Sequence, residues 1–286
     1  MASLKTVGVI GAGTMGSGIA QVCAVAGLPV AIIDVDAGAI ARSRNAISTN
    51  LDRLVKKEKL SAADKDAGVA RIQGTADYGA LGGCDVIVEA ATENESLKLK
   101  ILKQIDELAP ADTILATNTS SISITRLAAA TKRAERFVGM HFFNPVPVMG
   151  LVEVIRALQT SDATVEAVSA LAKRLGKTPV VVKNSPGFVV NRLLCPMLNE
   201  AVFALSEGVA MAEEIDAAMK LGCNHPLGPL ALADMIGLDV VLAVMEVFYR
   251  DFNDPKYRPA PMLKEMVAAG YLGRKSGRGF YTYEAR

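Results

Sequence analysis

Thr6-Val7-Gly8-Val9-Ile10-Gly11-Ala12-Gly13-Thr14-Met15-Gly16 is a short apolar run that breaks into Gly11-x-Gly13-x-x-Gly16. Ile19 to Ala26 then reads as a helix stopped at Gly27, and Val30-Ala31-Ile32-Ile33 as a second strand closed by Asp34. A glycine triplet alone is weak, because loops are rich in glycine. Strand, glycine loop, helix, strand and acid in that order supply the context that makes it a dinucleotide site rather than a merely tight βα turn. Gly11 permits the turn, Gly13 admits a pyrophosphate close to the backbone, and Gly16 lets the helix pack tightly on the strand. The N-terminus of that helix offers unpaired N–H groups and a positive dipole end that favour phosphate. Asp34 stands where a carboxylate accepts hydrogen bonds from ribose hydroxyls and repels a 2′-phosphate. No Arg follows it directly, so NAD is expected over NADP.

Working outward, the 286 residues suffice for one large domain or two modest ones, and 51% apolar content provides for a core. The formal net charge of +1 gives no basis for nucleic-acid or membrane binding. Cys23, Cys84, Cys195 and Cys223 are scattered, with no C-x-x-C pair. They read as reduced, mostly buried thiols of a cytoplasmic protein, with no metal site. Met1 to Thr6 runs straight into the first strand, so no secretory leader is expected. Leu230 to Phe248 is the one membrane-like stretch, but Asp234, Asp239 and Glu246 make it a poor bilayer span.

Asp36 to Lys57 reads as a long helix and Ser61 to Ala70 as a second one, capped by Ser61 and returning as a helical hairpin. Strands are expected at Arg71–Thr75, Asp85–Ala90, Thr113–Thr117, Arg136–Met140, Leu151–Ile155 and Pro179–Val182, with a helix over Ser96–Leu108. The alternation argues for an α/β fold, a Rossmann-type doubly wound sheet, with its last strands of mixed orientation. After Asn184-Ser185-Pro186-Gly187 nearly everything reads as helix: Phe188–Glu207, Ala212–Lys220, Leu230–Tyr249 and Met262–Ala269. The expected division is therefore residues 1–185, an NAD-binding domain with a helical-hairpin insertion, and 186–286, an all-helical C-terminal domain. So apolar a helical part suits a homodimer interface.

Ligands of such sheets lie beyond the carboxyl ends of the strands. Glu93 and Lys98 follow the fourth strand, and Asn118-Thr119-Ser120-Ser121 the fifth. His141, one of two histidines, stands at the end of the sixth. A hairpin-like return could bring Glu153 of the next strand to its imidazole, a general base with an orienting acid. The competing reading is a hydrogen-bonded core histidine, and that reading is kept for His225. Ser120 could simply cap a helix starting at Ile122. Arg53, Lys56, Lys57 and Lys59 either answer the helix dipole or form a phosphate patch.

Several runs together resemble the 3-hydroxyacyl-CoA dehydrogenase family: Asn118 to Ile124, His141-Phe142-Phe143-Asn144-Pro145-Val146-Pro147-Val148-Met149, Leu151 to Ile155, Pro186 to Arg192, Gly228-Pro229-Leu230 and Gly273 to Tyr281. The likeness spans essentially the whole chain and is greatest to the short bacterial form, which acts on (S)-3-hydroxybutyryl-CoA and carries no fused hydratase domain. It implies a Rossmann domain plus a helical dimerisation domain. It also implies His141 and Glu153 as acid–base dyad, with Ser120 and Asn191 holding the substrate. By the same resemblance NAD contacts fall on Gly11, Gly13, Thr14, Met15, Gly16, Asp34, Glu93, Lys98, Ser120, Asn144 and Lys275. Acyl-CoA contacts fall on Asn50, Arg53 and Lys57 besides Ser120 and Asn191.

Two other readings compete. A relative acting on a free hydroxy acid or sugar acid would not need the basic helix end at Arg53 to Lys59. A non-catalytic NAD-binding protein on this scaffold would have no reason to keep Ser120, His141, Glu153 and Asn191 together. The lysine-dependent β-hydroxyacid dehydrogenases share the glycine loop, but their lysine motif is not apparent here.

Overall fold

The computed structural model describes residues 4–284, which form two compact units divided between Ser185 and Pro186. In the first, strands β1 (Val7–Ile10), β2 (Val30–Ile33), β3 (Ile72–Thr75), β4 (Val86–Glu89), β5 (Ile114–Thr117), β6 (Phe137–Phe142), β7 (Leu151–Arg156) and β8 (Thr178–Lys183) make one sheet. Their order is β3-β2-β1-β4-β5-β6-β7-β8. All neighbours are parallel except β6 and β7, which run antiparallel. β1, β4 and β5 are buried along their whole length, which is why they read as unbroken apolar runs rather than alternating ones. β3 and β8 are the edges, and most residues of β8 face solvent.

Helices α1 (Thr14–Val25), α2 (Ala37–Lys56), α3 (Ala62–Ala70), α4 (Glu95–Leu108), α5 (Ile124–Ala129) and α6 (Asp162–Arg174) complete this unit. α2 and α3 form the hairpin expected from the sequence, tied by Lys65 to Asp52 at 2.6 Å. Ser61 caps α3 by accepting from the Asp64 N–H. α6 was not foreseen; Ser161 caps it, and Val165, Val168 and Leu171 carry its buried face into the sheet core. The expected helix at Ile122 starts instead at Ile124, because Ser123, not Ser120, caps it. Ser120 has different partners, described below.

The second unit contains α7 (Val190–Ser206), α8 (Ala212–Gly222), α9 (Pro229–Ile236), α10 (Leu238–Phe252) and α11 (Pro261–Ala268). α7 begins after Phe188, whose φ of 52° is not helical, and α8 runs on through Gly222 instead of stopping before it. The single helix expected over Leu230–Tyr249 is two. Gly237 takes φ +106°, a backbone conformation that ends α9 and starts α10 in a new direction. No helix among the described residues is long and apolar enough to cross a membrane.

Two buried carboxylates organise this unit. Asp216 of α8 accepts from the Leu230 and Ala231 N–H groups at 2.8 and 2.9 Å, so the open start of α9 is capped from a neighbouring helix. It also accepts from the Tyr281 hydroxyl. Asp234 of α9 accepts from the N–H groups of Phe280 and Tyr281 and from the Tyr283 hydroxyl, at 2.9–3.0 Å. A Cβ at Gly279 would lie 2.0 Å from Asp234 Oδ1, so only glycine lets the C-terminal segment approach. Burial, and then the Asp216 bond, push the Tyr281 phenol well above the usual tyrosine range. Asp234→Ala would strand these donors. Charge-assisted bonds of this kind contribute about 1.5–3 kcal/mol each, so urea unfolding should show a loss of at least about 2 kcal/mol. A change within about 0.5 kcal/mol would remove Asp234 as the anchor of this segment.

Candidate functional site

The strand order reverses direction between β1 and β4, and there the chain packs closely on itself. A Cβ on Gly11 would sit 2.6 Å from Ala91 Cα, and one on Gly16 would sit 1.8 Å from the Gly11 carbonyl oxygen. A Cβ on Gly13, by contrast, would meet no atom within 4 Å. Gly11 and Gly16 are thus required by the chain's own packing, and Gly13 by nothing in the chain. The space above Gly13 is open to a ligand. α1 supports this: α2 to α6 are each capped by a side chain, whereas α1 begins at Gly13 with none. Its first N–H groups are left to an anion.

Asp34 crosses back to this loop. Its Oδ2 accepts from the Ala12 N–H at 2.8 Å and its Oδ1 from the Asp36 N–H at 3.0 Å. Each carboxylate oxygen retains acceptor capacity, so Asp34 braces the glycine loop and can still accept from a ribose. Beside the loop is a cavity of about 370 Å³. Gly13, Thr14, Ser17, Arg42, Asn50 and Asn144 are among the residues that line it. Asn50 is therefore brought to the glycine loop; Arg53 and Lys57 stand exposed further along α2. Lys57 is the C-cap residue of that helix.

Lys98 departs from the expectation of a cofactor contact. It is fully buried, its Nζ paired with Glu89 and 3.3 Å from Thr117 Oγ1. Glu89 in turn accepts from the Ala91 N–H. A buried ammonium needs such a partner, and this one spends itself on the end of β4, leaving no exposed atom for a ligand. Glu93, on the same β4–α4 loop, is exposed. Its Oε1 accepts from Thr119 Oγ1, the Ser120 N–H, Ser120 Oγ and Ser121 Oγ at 2.7–3.3 Å.

His141 and Glu153 are directly opposite each other in the antiparallel β6–β7 ladder. Directly opposite residues are side-chain neighbours across a sheet. Glu153 Oε2 lies 2.8 Å from His141 Nδ1, with the two side chains 1% and 8% exposed. A carboxylate can only accept, so Nδ1 carries the proton and Nε2 is the basic nitrogen of the neutral ring. The Phe143 ring packs on the imidazole at 4.5 Å between centroids.

Sequence reasoning missed Lys177. It is buried, and its Nζ donates to the Val146 and Met149 carbonyls at 2.7 Å each, holding the loop that carries Asn144. Burial without a carboxylate lowers its pKa. A lysine preceding a strand carries no local sign of such a contact. In the second unit, Asn191 lies in the first turn of α7, and Lys275 pairs with Asp239 at 2.6 Å. All four cysteines are free thiols, three of them buried. Burial pushes Cys23 and Cys195 up to about 12 and Cys84 to about 11, which makes them poor nucleophiles. No cluster of metal-ligating side chains exists among the described residues.

A doubly wound sheet with an uncapped glycine loop and a histidine–carboxylate pair at its carboxyl end defines a dinucleotide-dependent oxidoreductase. Comparison with known proteins makes this specific. Residues 6–185 match the family described as 3-hydroxyacyl-CoA dehydrogenase, NAD binding domain, and residues 187–283 match the C-terminal domain of the same family. A probable 3-hydroxybutyryl-CoA dehydrogenase of Deinococcus radiodurans is 52% identical over 96% of this chain and 99% of its own. The 3-hydroxybutyryl-CoA dehydrogenase of Bradyrhizobium diazoefficiens is 50% identical over 99% and 96%. The crystal structure of an (S)-3-hydroxybutyryl-CoA dehydrogenase from Ralstonia eutropha superposes with a TM-score of 0.98. It shares 64% identity and covers 99% of this chain and all of its own. The chain belongs to the 3-hydroxyacyl-CoA dehydrogenase family, NAD-dependent oxidoreductases.

Because nothing in the chain fills the space over Gly13, Gly13→Val should leave the melting temperature within a few degrees. Binding of NADH, followed by its fluorescence, should weaken at least about tenfold, which is ~1.4 kcal/mol. Unchanged NADH affinity would show that the loop is only a turn.

Proposed function

We propose that the chain is an NAD-dependent (S)-3-hydroxyacyl-CoA dehydrogenase that interconverts 3-hydroxybutyryl-CoA and acetoacetyl-CoA. The observation that carries this is the buried His141–Glu153 pair at the carboxyl end of the sheet. Bound NAD supplies the acceptor for the hydride that leaves C3 of the substrate. His141 takes the 3-hydroxyl proton on Nε2. Glu153, by accepting from Nδ1, fixes the tautomer of the neutral ring and then stabilises the imidazolium formed on proton uptake, at a depth where an unpartnered cation would be costly. In the reverse direction the imidazolium donates to the ketone oxygen and returns the same proton. Ser120 and Asn191 hold the substrate oxygens, and this positioning is the protein's part of the rate enhancement.

The glycine loop, Asp34, Glu93 and Asn144 make up the NAD side of the reading, to which the family resemblance adds Lys275. Asn50, Arg53 and Lys57 are assigned to the CoA moiety. Two of these are exposed cations on one helix end, which suits a nucleotide phosphate. The reading includes a cytoplasmic homodimer joined through the C-terminal helices. Free thiols fit a reducing compartment. Leu193, Val209, Met211 and Leu221, all at least 66% exposed, offer that unit apolar surface to cover.

With acetoacetyl-CoA and NADH, the chain should oxidise the cofactor rapidly, and His141→Ala should lower kcat by about 10²–10⁴-fold. Turnover of free acetoacetate instead would transfer the assignment to the hydroxy-acid dehydrogenases, and NADH binding without turnover would make this a non-catalytic protein. Lys57→Ala should raise KM for the thioester severalfold with kcat unchanged; an unchanged KM removes it from the CoA contacts. Sedimentation at micromolar concentration should give a dimer, and a monomer there would overturn that part of the reading.

A further inference from the structure

β5 stops pairing with β6 at Thr117 and Gly139, but β6 runs on through Met140, His141 and Phe142. Along those last residues the ladder to β7 continues on one side only. On the β5 side the Phe142 N–H still needs an acceptor, since a buried amide left without one is costly. Asn118 supplies it: its Oδ1 lies 2.8 Å from Phe142 N. The Asn118 N–H meanwhile donates to the Glu89 carbonyl at 2.8 Å, so its backbone still belongs to the β4–β5 ladder. The Asn118 side chain thus stands in for the strand residue that β5 no longer provides.

β5 cannot continue because the chain turns here. The turn is made by Thr119, Ser120 and Ser121, gathered on the single oxygen Glu93 Oε1. One end of the turn therefore grips the strand end that bears His141, and the next residues present Ser120.

We propose that Asn118 is a positioning residue for the reaction: through Phe142 it sets the depth of the His141 imidazole relative to Ser120. The proposal rests on the assignment of His141 as the proton carrier. The contact between Glu153 and His141 does not depend on Asn118, because it comes from the opposite strand. Removing the Asn118 carboxamide should leave the dyad intact and shift it as a unit against Ser120. A displacement of about 1 Å remote from the reacting bonds can cost on the order of a hundredfold in rate.

The sequence holds two histidines, so side-chain spectra of histidine-labelled protein report His141 directly, with His225 as internal control. Wild type should give one sharp set of His141 ring signals. Asn118→Ala should broaden or split that set, leave His225 unmoved, and lower kcat about 10- to 100-fold with KM for NADH within about threefold. Asn118→Asp keeps an acceptor oxygen in place and should retain the single sharp set. If Asn118→Ala does not fold, Asn118→Ser, whose oxygen is too short to reach the Phe142 N–H, takes its place under the same criteria. His141 signals and kcat indistinguishable from wild type in the Ala or Ser variant would overturn the proposal, as would broadening in the Asp variant equal to that in Ala. The ring signals need no turnover, so a protein inactive on the thioester would refute the proposed function and leave this measurement decisive.

Discussion

The contact on which the site depends is the cross-strand pair of His141 and Glu153. It exists because β7 reverses the direction of a sheet that is parallel up to that point. A parallel neighbour would have had to return through a long crossover. The antiparallel return instead keeps the two side chains opposite each other and within a hydrogen bond. Register matters as much as direction, since a slip of one residue would turn Glu153 to the other face of the sheet and leave the imidazole alone. Burial then makes the pair consequential, because a charge shed by water has to be met by another group.

The rest of the first unit reads as support for two edges of one crevice line. At the β1–β4 switch, the glycine loop is left without a cap and with open space above Gly13, while Asp34 ties it from behind. Further along the strand ends, Glu93 collects the Thr119–Ser121 turn, and Asn118 bonds to the end of β6. Beneath these, Lys98 and Glu89 fill the interior with an ion pair that shows no surface. Breaking such a pair from one side costs far more than its net worth, so Lys98 is better understood through the loop it holds than as a ligand.

The second unit uses carboxylates in another way. Asp216 and Asp234 are spent wholly on backbone N–H groups and tyrosine hydroxyls, and they fasten the C-terminal segment to α9. Asp234, one of the acidic residues that argued against a membrane span in the sequence, therefore has a positive structural use. Asp234 sits at 1% exposure, and Gly237 divides the stretch into two helices of different direction.

Much of this was legible in the residues themselves. All eight strands were located in the residues, most plainly β1, β4 and β5, whose burial along their whole length leaves unbroken apolar runs, and the glycine triplet with Asp34 marked the loop after β1, because its backbone demands are local. His141 and Glu153 could be suspected as a pair from the strands on which they lie. What only the tertiary structure decided depends on partners far apart in the chain. Lys98 was expected as a cofactor contact until Glu89 was found against it. Ser120 looked like a helix cap until Glu93 claimed both its N–H and its hydroxyl. Asn118 and Lys177 gave no local sign of bracing a strand end and a loop. Local sequence sets backbone preference and which faces are apolar; which polar group meets which is settled only when burial leaves each donor and acceptor to find its partner inside the fold.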